Sequence, residues 1–145
     1  MAKPTSEEVL LALGLSPHPE GGYFVETFRD GQPSERGAST AIYFLLKAGQ
    51  RSHWHKVDAS EVFHHYFGAS VAIRTFRPGH AVLTRKLGQE LLRGERPQVV
   101  IEAGVWQSAD LVQDEEFDYA LMGCTVAPAF QFEGFELAPP GWEPS

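Results

Sequence analysis

Histidines concentrate in one stretch of the chain, residues 49–68, which reads GQRSHWHKVDASEVFHHYFG and holds four of the six histidines. His53 and His55 are two positions apart, so on a β-strand their side chains leave the same face about 7 Å apart and can share one ion or one ligand. Glu61 lies between this pair and the next. Imidazole and carboxylate together suit zinc, iron, manganese or nickel, and they equally suit proton transfer on an organic substrate.

The second half of this stretch is an apolar run that follows the turn-like segment KVDAS. As a strand it places Glu61, Phe63, His65 and Phe67 on one face. A hairpin then brings a carboxylate and another imidazole towards the first two histidines. Arg51 shares the parity of those histidines, so it either presents a cation to the same pocket or ends in solvent at the strand terminus.

This pattern resembles a known family. The order Gly, His53-x-His55, Glu61, Gly68 is similar to the first cupin motif, and residues 102–107, EAGVWQ, are similar to the second with Gln107 in place of its final histidine. The chain as a whole resembles the short single-domain cupins of uncharacterised function over most of residues 18–137. The resemblance implies a small β-barrel that holds these side chains inside. It also implies a divalent metal on His53, His55, Glu61 and Gln107.

Two departures bear on the metal. Five residues separate His55 from Glu61, slightly more than is usual in cupins, and the amide oxygen of Gln107 is a poorer ligand than an imidazole because it is neutral and weakly basic. Two hypotheses therefore remain: a metal bound by two histidines, one glutamate and waters, and a site without metal.

The elements around this stretch are short. Thr5 and Glu8 form a capping box for a helix that Gly14 ends. Strands are predicted over 23–28, 39–46, 71–76, 81–87, 98–101 and 117–127, at hairpin spacing. We therefore predict an all-β, cupin-type antiparallel jelly-roll barrel with one short N-terminal helix. The HPEGG segment contains His18 and Glu20, for which structural hydrogen bonds within a turn are favoured over a ligand role.

Composition sets further expectations. The length of 145 residues suits a single domain over residues 1–145, and the net charge of −7 argues against a nucleic-acid partner. The single Cys124 excludes an intrachain disulfide and is interpreted as a core residue. The N-terminus lacks an apolar segment long enough for a signal or a membrane span, so we expect a cytoplasmic protein without a membrane partner.

The predicted cavity combines an apolar wall with a few converging polar groups, as small-molecule sites do. Its expected lining is Tyr43, Arg51, His53, His55, Glu61, Phe63, His65 and Gln107, with Trp106 placed to stack on a ligand or to pack. Three functions remain open. They are a metal-dependent enzyme for a small hydroxylated or carboxylated substrate, a metal-free isomerase or epimerase, and a metabolite-binding protein. In the second, His53 or His65 acts as the base and Tyr43 as the acid.

A homodimer is also expected. The segment STAIYFLL, residues 39–46, is apolar on both faces, and one barrel covers only the inner one. The resemblance implies the same, since small cupins commonly pair through outer sheet faces.

Overall fold

A short N-terminal helix opens the structure, a computed structural model that describes residues 3–32 and 34–145. Helix α1, Ser6–Leu13, begins at the predicted capping box, in which Thr5 accepts from the backbone of Glu8 and Glu8 accepts from the backbone of Thr5. Gly14 ends it in the left-handed region, where a residue without Cβ is unstrained. Of the helices in this part of the chain, none is both long and apolar enough to span a bilayer.

The remaining regular structure is almost all β. The strands are β1 Ser16–Pro17, β2 Tyr23–Arg29, β3 Thr40–Lys47, β4 Arg51–Val57, β5 Ser60–Gly68, β6 Val71–Phe76, β7 Leu83–Leu87, β8 Gln98–Ile101, β9 Trp106–Leu111, β10 Tyr119–Ala127 and β11 Phe135–Leu137. One sheet has the order β1-β2-β3-β10-β5-β8 and the other the order β11-β4-β9-β6-β7, and neighbouring strands run antiparallel. The predicted double-sheet jelly roll is confirmed.

The inner faces of the two sheets enclose the main core. Its side chains come from both sheets and are almost wholly shielded from solvent; they include Phe44, Leu46, Phe63, Ile73, Leu87, Ile101 and Met122. Burial of each such side chain contributes about 1.5–3 kcal/mol. The apolar alternation of the strands therefore fixes which residues face the barrel interior.

Helix α1 covers the outer face of β3. Val9 packs in a second cluster with Leu45, Tyr119 and Leu121, which alternate with the inward-facing residues of their strands. The outer apolar residues of β3 are thus buried largely by the chain's own helix. The homodimer stays a prediction. The sequence argument for it assumed that the outer apolar face of residues 39–46 is uncovered, and helix α1 covers much of that face.

Three register shifts, on β2, β4 and β5, decide which side chains reach the interior. On β4, Ser52 pairs with Ala109 and His55 pairs with Gln107, so three steps along β4 match two steps along β9. On β5, His65 pairs with Met122 and Phe67 pairs with Leu121, again with one extra residue. Each extra residue reverses the inward and outward alternation beyond it, as a β-bulge does.

Candidate functional site

The candidate site is a cavity between the inner faces of the two sheets. Its lining combines ionisable groups with aromatic and aliphatic walls; the residues are His18, Glu20, Phe24, Glu26, Arg29, Thr40, Ile42, His55, Val57, Glu61, Cys124, Val126, Phe130, Phe132 and Phe135. The cavity has about 60 Å³ of room for water-sized molecules. That room holds roughly five waters, so the site as it stands accepts only a small ligand.

His55 is held in one tautomer. Its side chain is buried because the register shift on β4 turns it inward beside Gln107. The ring Nδ1 lies 2.7 Å from the carbonyl oxygen of His53, and a carbonyl can only accept, so Nδ1 carries the hydrogen. Nε2 therefore presents its lone pair to the cavity. Burial lowers the pKa of His55, although the nearby Glu61 opposes this, and the ring is held neutral.

Glu61 lies beside His55 at the start of β5. Its Oε1 accepts a hydrogen bond of 2.9 Å from Nε2 of Gln107. Burial and, to a lesser extent, the neighbouring Glu20 raise the pKa of Glu61 to about 7, against the opposing effects of His55, Gln107 and Cys124. The thiol of Cys124 also contacts this carboxyl, and burial raises the thiol's pKa well above its ordinary value. Cys124 is thus a neutral wall residue, as the sequence suggested.

The HPEGG segment folds against the mouth of the barrel and delivers two further ionisable groups. The backbone N–H of His53 donates to the carbonyl oxygen of Glu20 at 2.7 Å, which ties the segment to β4. A Cβ on Gly22 would lie 2.9 Å from the carbonyl oxygen of Leu45, and Gly22 has a φ of +79°. Only glycine combines this close approach with this backbone conformation.

Glu20 connects the groups of the site. Its Oε2 lies 3.3 Å from Nε2 of His55 and accepts a hydrogen bond from the hydroxyl of Ser52, and its Oε1 lies 3.2 Å from Nδ1 of His18. Burial raises the pKa of Glu20 to about 8, against the opposing hydrogen bond from Ser52. At neutral pH the carboxyl is therefore protonated, and the lone pair on Nε2 of His55 is placed to share its proton.

His18 is the second residue that the segment contributes. Its Nδ1 accepts a hydrogen bond of 3.1 Å from the backbone N–H of Glu20, and its ring meets the edge of Phe24 with centroids 4.5 Å apart. Burial lowers the pKa of His18 to about 4, with a further contribution from His55. A neutral imidazole accordingly forms one wall of the cavity.

Four residues predicted for the site lie elsewhere; they are Tyr43, Arg51, His53 and Trp106. His53 does not share a face with His55, because the extra residue on β4 breaks their alternation, and its Nε2 lies 3.0 Å from the carbonyl oxygen of Pro139. Arg51 pairs with Glu143 at 3.0 Å at the start of β4. Tyr43 faces outward, in the cluster that α1 covers.

Trp106 also faces outward. Together with Trp54 it packs against Trp142 of the C-terminal tail, with ring centroids 4.8 Å and 6.0 Å from that residue. It lies on the same side of β9 as its cross-strand neighbour Phe76, while the next residue, Gln107, faces in. The packing role, which the sequence left open, is the one the structure shows.

Two more predicted residues are inside the barrel or at its end but do not line the cavity. Phe63 is part of the apolar core. His65 lies at the end of β5 where its Nε2 is 2.9 Å from the carbonyl oxygen of Ala69 and its Nδ1 is 3.1 Å from Nε2 of Gln89. Both ring nitrogens thus have partners within the fold. Of the predicted site residues, the structure brings together His55, Glu61 and Gln107.

Sequence reasoning missed the role of His18 and Glu20. It recognised both residues but favoured a self-contained turn. The available signal was the pair of glycines that follows them, because adjacent glycines with positive φ allow a loop to lie directly on a neighbouring strand. Ser52, which donates to Glu20, gave no signal, since it faces the same side as His55 only because of the register shift.

A metal centre requires several side-chain donor atoms that converge on one point. In the described part of the chain, no three His, Cys, Asp or Glu side chains converge at metal-binding distances. Gln107 turns its amide nitrogen, which has no lone pair to offer, towards Glu61. Since His53 faces away as well, the residues as placed do not fit the predicted metal site.

Comparison with solved structures places the fold among the cupins. Protein SO0799 from Shewanella oneidensis superimposes with a TM-score of 0.87 and 33% identity over 94% of this chain and 85% of that one. A hypothetical protein from Leishmania major gives 0.86 and 25% over 93% and 88%. Oxalate decarboxylase from Bacillus subtilis gives 0.64 and 14%, over 83% of this chain and 29% of that enzyme. The last likeness concerns the fold alone.

The family follows from the sequence comparison. Residues 7–138 match the model described as Cupin superfamily (DUF985), and the chain belongs to this family. It is also 31% identical over 137 residues to the uncharacterized protein YML079W of Saccharomyces cerevisiae, covering 82% of this chain and 68% of the yeast protein.

Proposed function

We propose that this cupin binds a small metabolite with a hydroxyl, carbonyl or carboxyl group in its cavity, and that Glu20 and His55 transfer a proton to or from it. The observation that carries the proposal is the 3.3 Å approach of the Glu20 carboxyl to the free Nε2 of His55. The two groups enter the cavity from different elements and are both held neutral by burial. General acid–base catalysis needs such a proton donor and proton acceptor side by side at the ligand.

The size and lining of the cavity narrow the ligand. Room of about 60 Å³ is well below the roughly 300–1,000 Å³ of sites for larger ligands. A short hydroxy or oxo acid fits this room better than a sugar ring. Among the described lining residues Arg29 is the one Lys or Arg, and it lies at the rim where Glu26 pairs with it at 2.7 Å. This cation favours a ligand with a carboxylate at its outer end.

Roles follow from the contacts. Glu20 is the proton donor at neutral pH, and His55 takes up the proton from the ligand or from Glu20 through Nε2. Glu61, fixed by Gln107, is a second carboxyl that can hydrogen-bond a ligand oxygen. The acid of this scheme is Glu20, in place of the Tyr43 that the sequence suggested.

A metal-dependent enzyme was the other hypothesis. The cupin fold is shared with oxalate decarboxylase, for which manganese centres are described, so a divalent metal is compatible with the fold. The residues of this cavity do not converge on such an ion as placed. No step of the proposed chemistry depends on a metal.

Solvent exchange tests the proposal without a known reaction. The protein is incubated in D₂O with a panel of short hydroxy and oxo acids, and deuterium entering the carbon next to the carbonyl or carboxyl group is followed by NMR. We expect exchange in at least one acid, and a loss of about a hundredfold or more in Glu20→Gln, because one proton-transfer group typically contributes 10²–10⁴-fold. Glu102→Gln, which changes a surface glutamate outside the cavity lining, is the matched control and should keep the exchange.

Binding is measured in parallel by ligand-observed NMR. Glu20→Gln should still bind the acid that the wild type exchanges, since glutamine keeps the shape of the protonated carboxyl. Binding by the wild-type protein without exchange in any acid would refute proton transfer and indicate a binding protein. Exchange that persists in Glu20→Gln would refute the role of Glu20.

A further inference from the structure

A groove lies at the seam between β7 and β8, away from the cavity. These two strands are the end strands of their sheets. The backbone N–H of Arg96 donates to the carbonyl oxygen of Lys86 at 3.0 Å across the seam, and the 3-10 turn Leu91–Arg93 lies beside it. The groove has a volume of about 550 Å³, and its lining includes Arg85, Lys86, Arg93 and Arg96, with no carboxylate among the described lining residues. It shares no lining residue with the cavity of the proposed function.

Charge pairing sets these four cations apart. The chain has twelve Lys and Arg residues. In the part that the structure describes, the other eight each lie within 4.0 Å of a carboxylate oxygen, and the four in the groove do not. A protein with a net charge of −7 thus places these four cations, which have no carboxylate partner among the described residues, around one groove.

A nearby carboxylate does not neutralise the groove. Glu95 lies next to Arg96 in the sequence, but its side chain is buried. Its Oε1 accepts from the hydroxyl of Ser70 at 2.8 Å and from the backbone N–H of Glu90 at 3.2 Å. Glu95 therefore stabilises the turn through Ser70 and Glu90. It does not compensate the mutual repulsion of the four exposed cations.

Two of the guanidinium groups are held in position. Nη2 of Arg85 donates to the carbonyl oxygen of Val100 at 2.8 Å, across the seam, and Nη1 of Arg96 donates to the carbonyl oxygen of Glu95 at 2.7 Å. Each guanidinium has five N–H donors, so most stay available. Gly94, which ends the turn, meets open space where a Cβ would lie, so a ligand can approach the backbone there.

We propose that this groove binds a small anion with more than one phosphate group. The arginine fork matches phosphate oxygens in a bidentate geometry, and lysine adds a point charge. Cations from β7, the 3-10 turn and the segment before β8 surround the groove, so a ligand with charge at several points meets more of them than a single phosphate does. The groove is open to solvent, and its volume leaves room for a ligand of this size.

Calorimetric titration with inorganic pyrophosphate tests the proposal, at about 20 mM and about 300 mM salt, because screening weakens exposed charge pairs. The test variant is Lys86→Ala with Arg93→Ala, two side chains that make no hydrogen bond in the described part of the structure. Lys3→Ala with Lys56→Ala removes the same net charge from two paired cations and is the control. We expect saturable binding of one equivalent to the wild type, at least about tenfold weaker in the test variant and within about twofold in the control.

Amide chemical shifts keep the proposal testable if the double variant does not fold. In the wild-type protein, pyrophosphate should shift the amides of Gly94, Arg96 and Gln98 and leave those of the cavity unchanged. Absence of saturable binding at low salt would overturn the proposal, as would equal weakening in both double variants. Association with vesicles of anionic lipid, without binding of pyrophosphate, would overturn it in favour of a membrane surface. Since this groove and the cavity are separate, either proposal can fail alone.

Discussion

Glu20→Gln should change how the stability of the protein depends on pH. The folded protein raises the pKa of Glu20 from 4.5 to about 8 because the carboxyl is buried. Between these pH values the unfolded chain has released this proton while the folded protein keeps it, so stability falls as pH rises. Each pKa unit corresponds to about 1.4 kcal/mol, so the loss from this group reaches up to about 5 kcal/mol at pH 8. Glutamine mimics the protonated carboxyl and removes the loss.

The measurement is urea unfolding followed by far-UV circular dichroism at several pH values from 4.5 to 8.5. The useful quantity is the free energy of unfolding of the variant minus that of the wild type, because contributions common to both proteins, such as that of neutral His18, largely cancel. We expect this difference to grow with pH and to level off above about pH 8.

Glu26→Gln provides the control for this experiment. It changes a half-exposed glutamate at the rim of the cavity, where Arg29 pairs with it. Its stability difference from the wild type should stay nearly constant over the same pH range. A constant difference for Glu20→Gln as well would refute the view that Glu20 is buried as a neutral acid, and with it the acid–base assignment.

Three further predictions concern other parts of the molecule. Gly22→Ala should destabilise the protein by more than about 1 kcal/mol in urea unfolding, because the new methyl group meets the backbone of β3 at a positive φ; unchanged stability would contradict the docking of HPEGG. Elemental analysis of untagged protein should find less than one metal per chain, because His53 faces away from His55 and Glu61; stoichiometric metal in the wild type would contradict this placement. Light scattering should give a homodimer of the 16.1 kDa chain, and Tyr66→Lys should dissociate it; a monomeric wild type would end this prediction.

The last of these predictions rests on the outer face of the larger sheet. Phe28, Tyr66 and Val100 are 54%, 45% and 49% exposed on different strands of that face. Exposed aromatic and aliphatic side chains of this kind are typical of protein interfaces. This surface supports the pairing better than residues 39–46, whose outer side the helix already covers.

The sequence predicted the fold well because alternation and turn residues act locally. The bounds of β6 and β8 coincide with the predicted ranges 71–76 and 98–101. The helix also begins and ends at the residues that its caps indicate. These features depend on a few neighbouring residues, and the sequence contains all of them.

The site was predicted only in part because it depends on register. Strict alternation placed His53 with His55, and a single extra residue on β4 separated them and brought Ser52 inward. The residue types of β4 do not show at which position it carries an extra residue relative to β9. Glu20 was missed for a related reason, since the contact of a loop with a distant strand is a tertiary property.

The position of the C-terminal tail affects the near-ultraviolet dichroism and the fluorescence of the tryptophans. All three tryptophans of the chain meet in one cluster, with Trp142 of the tail packed between Trp54 and Trp106. Indoles this close couple electronically, so near-ultraviolet dichroism and intrinsic emission report chiefly on whether the tail is docked. The cavity, which contains phenylalanine but no tryptophan, is almost silent in both signals. A ligand that fills it can bind without any change in fluorescence, while release of the tail alone can look like unfolding.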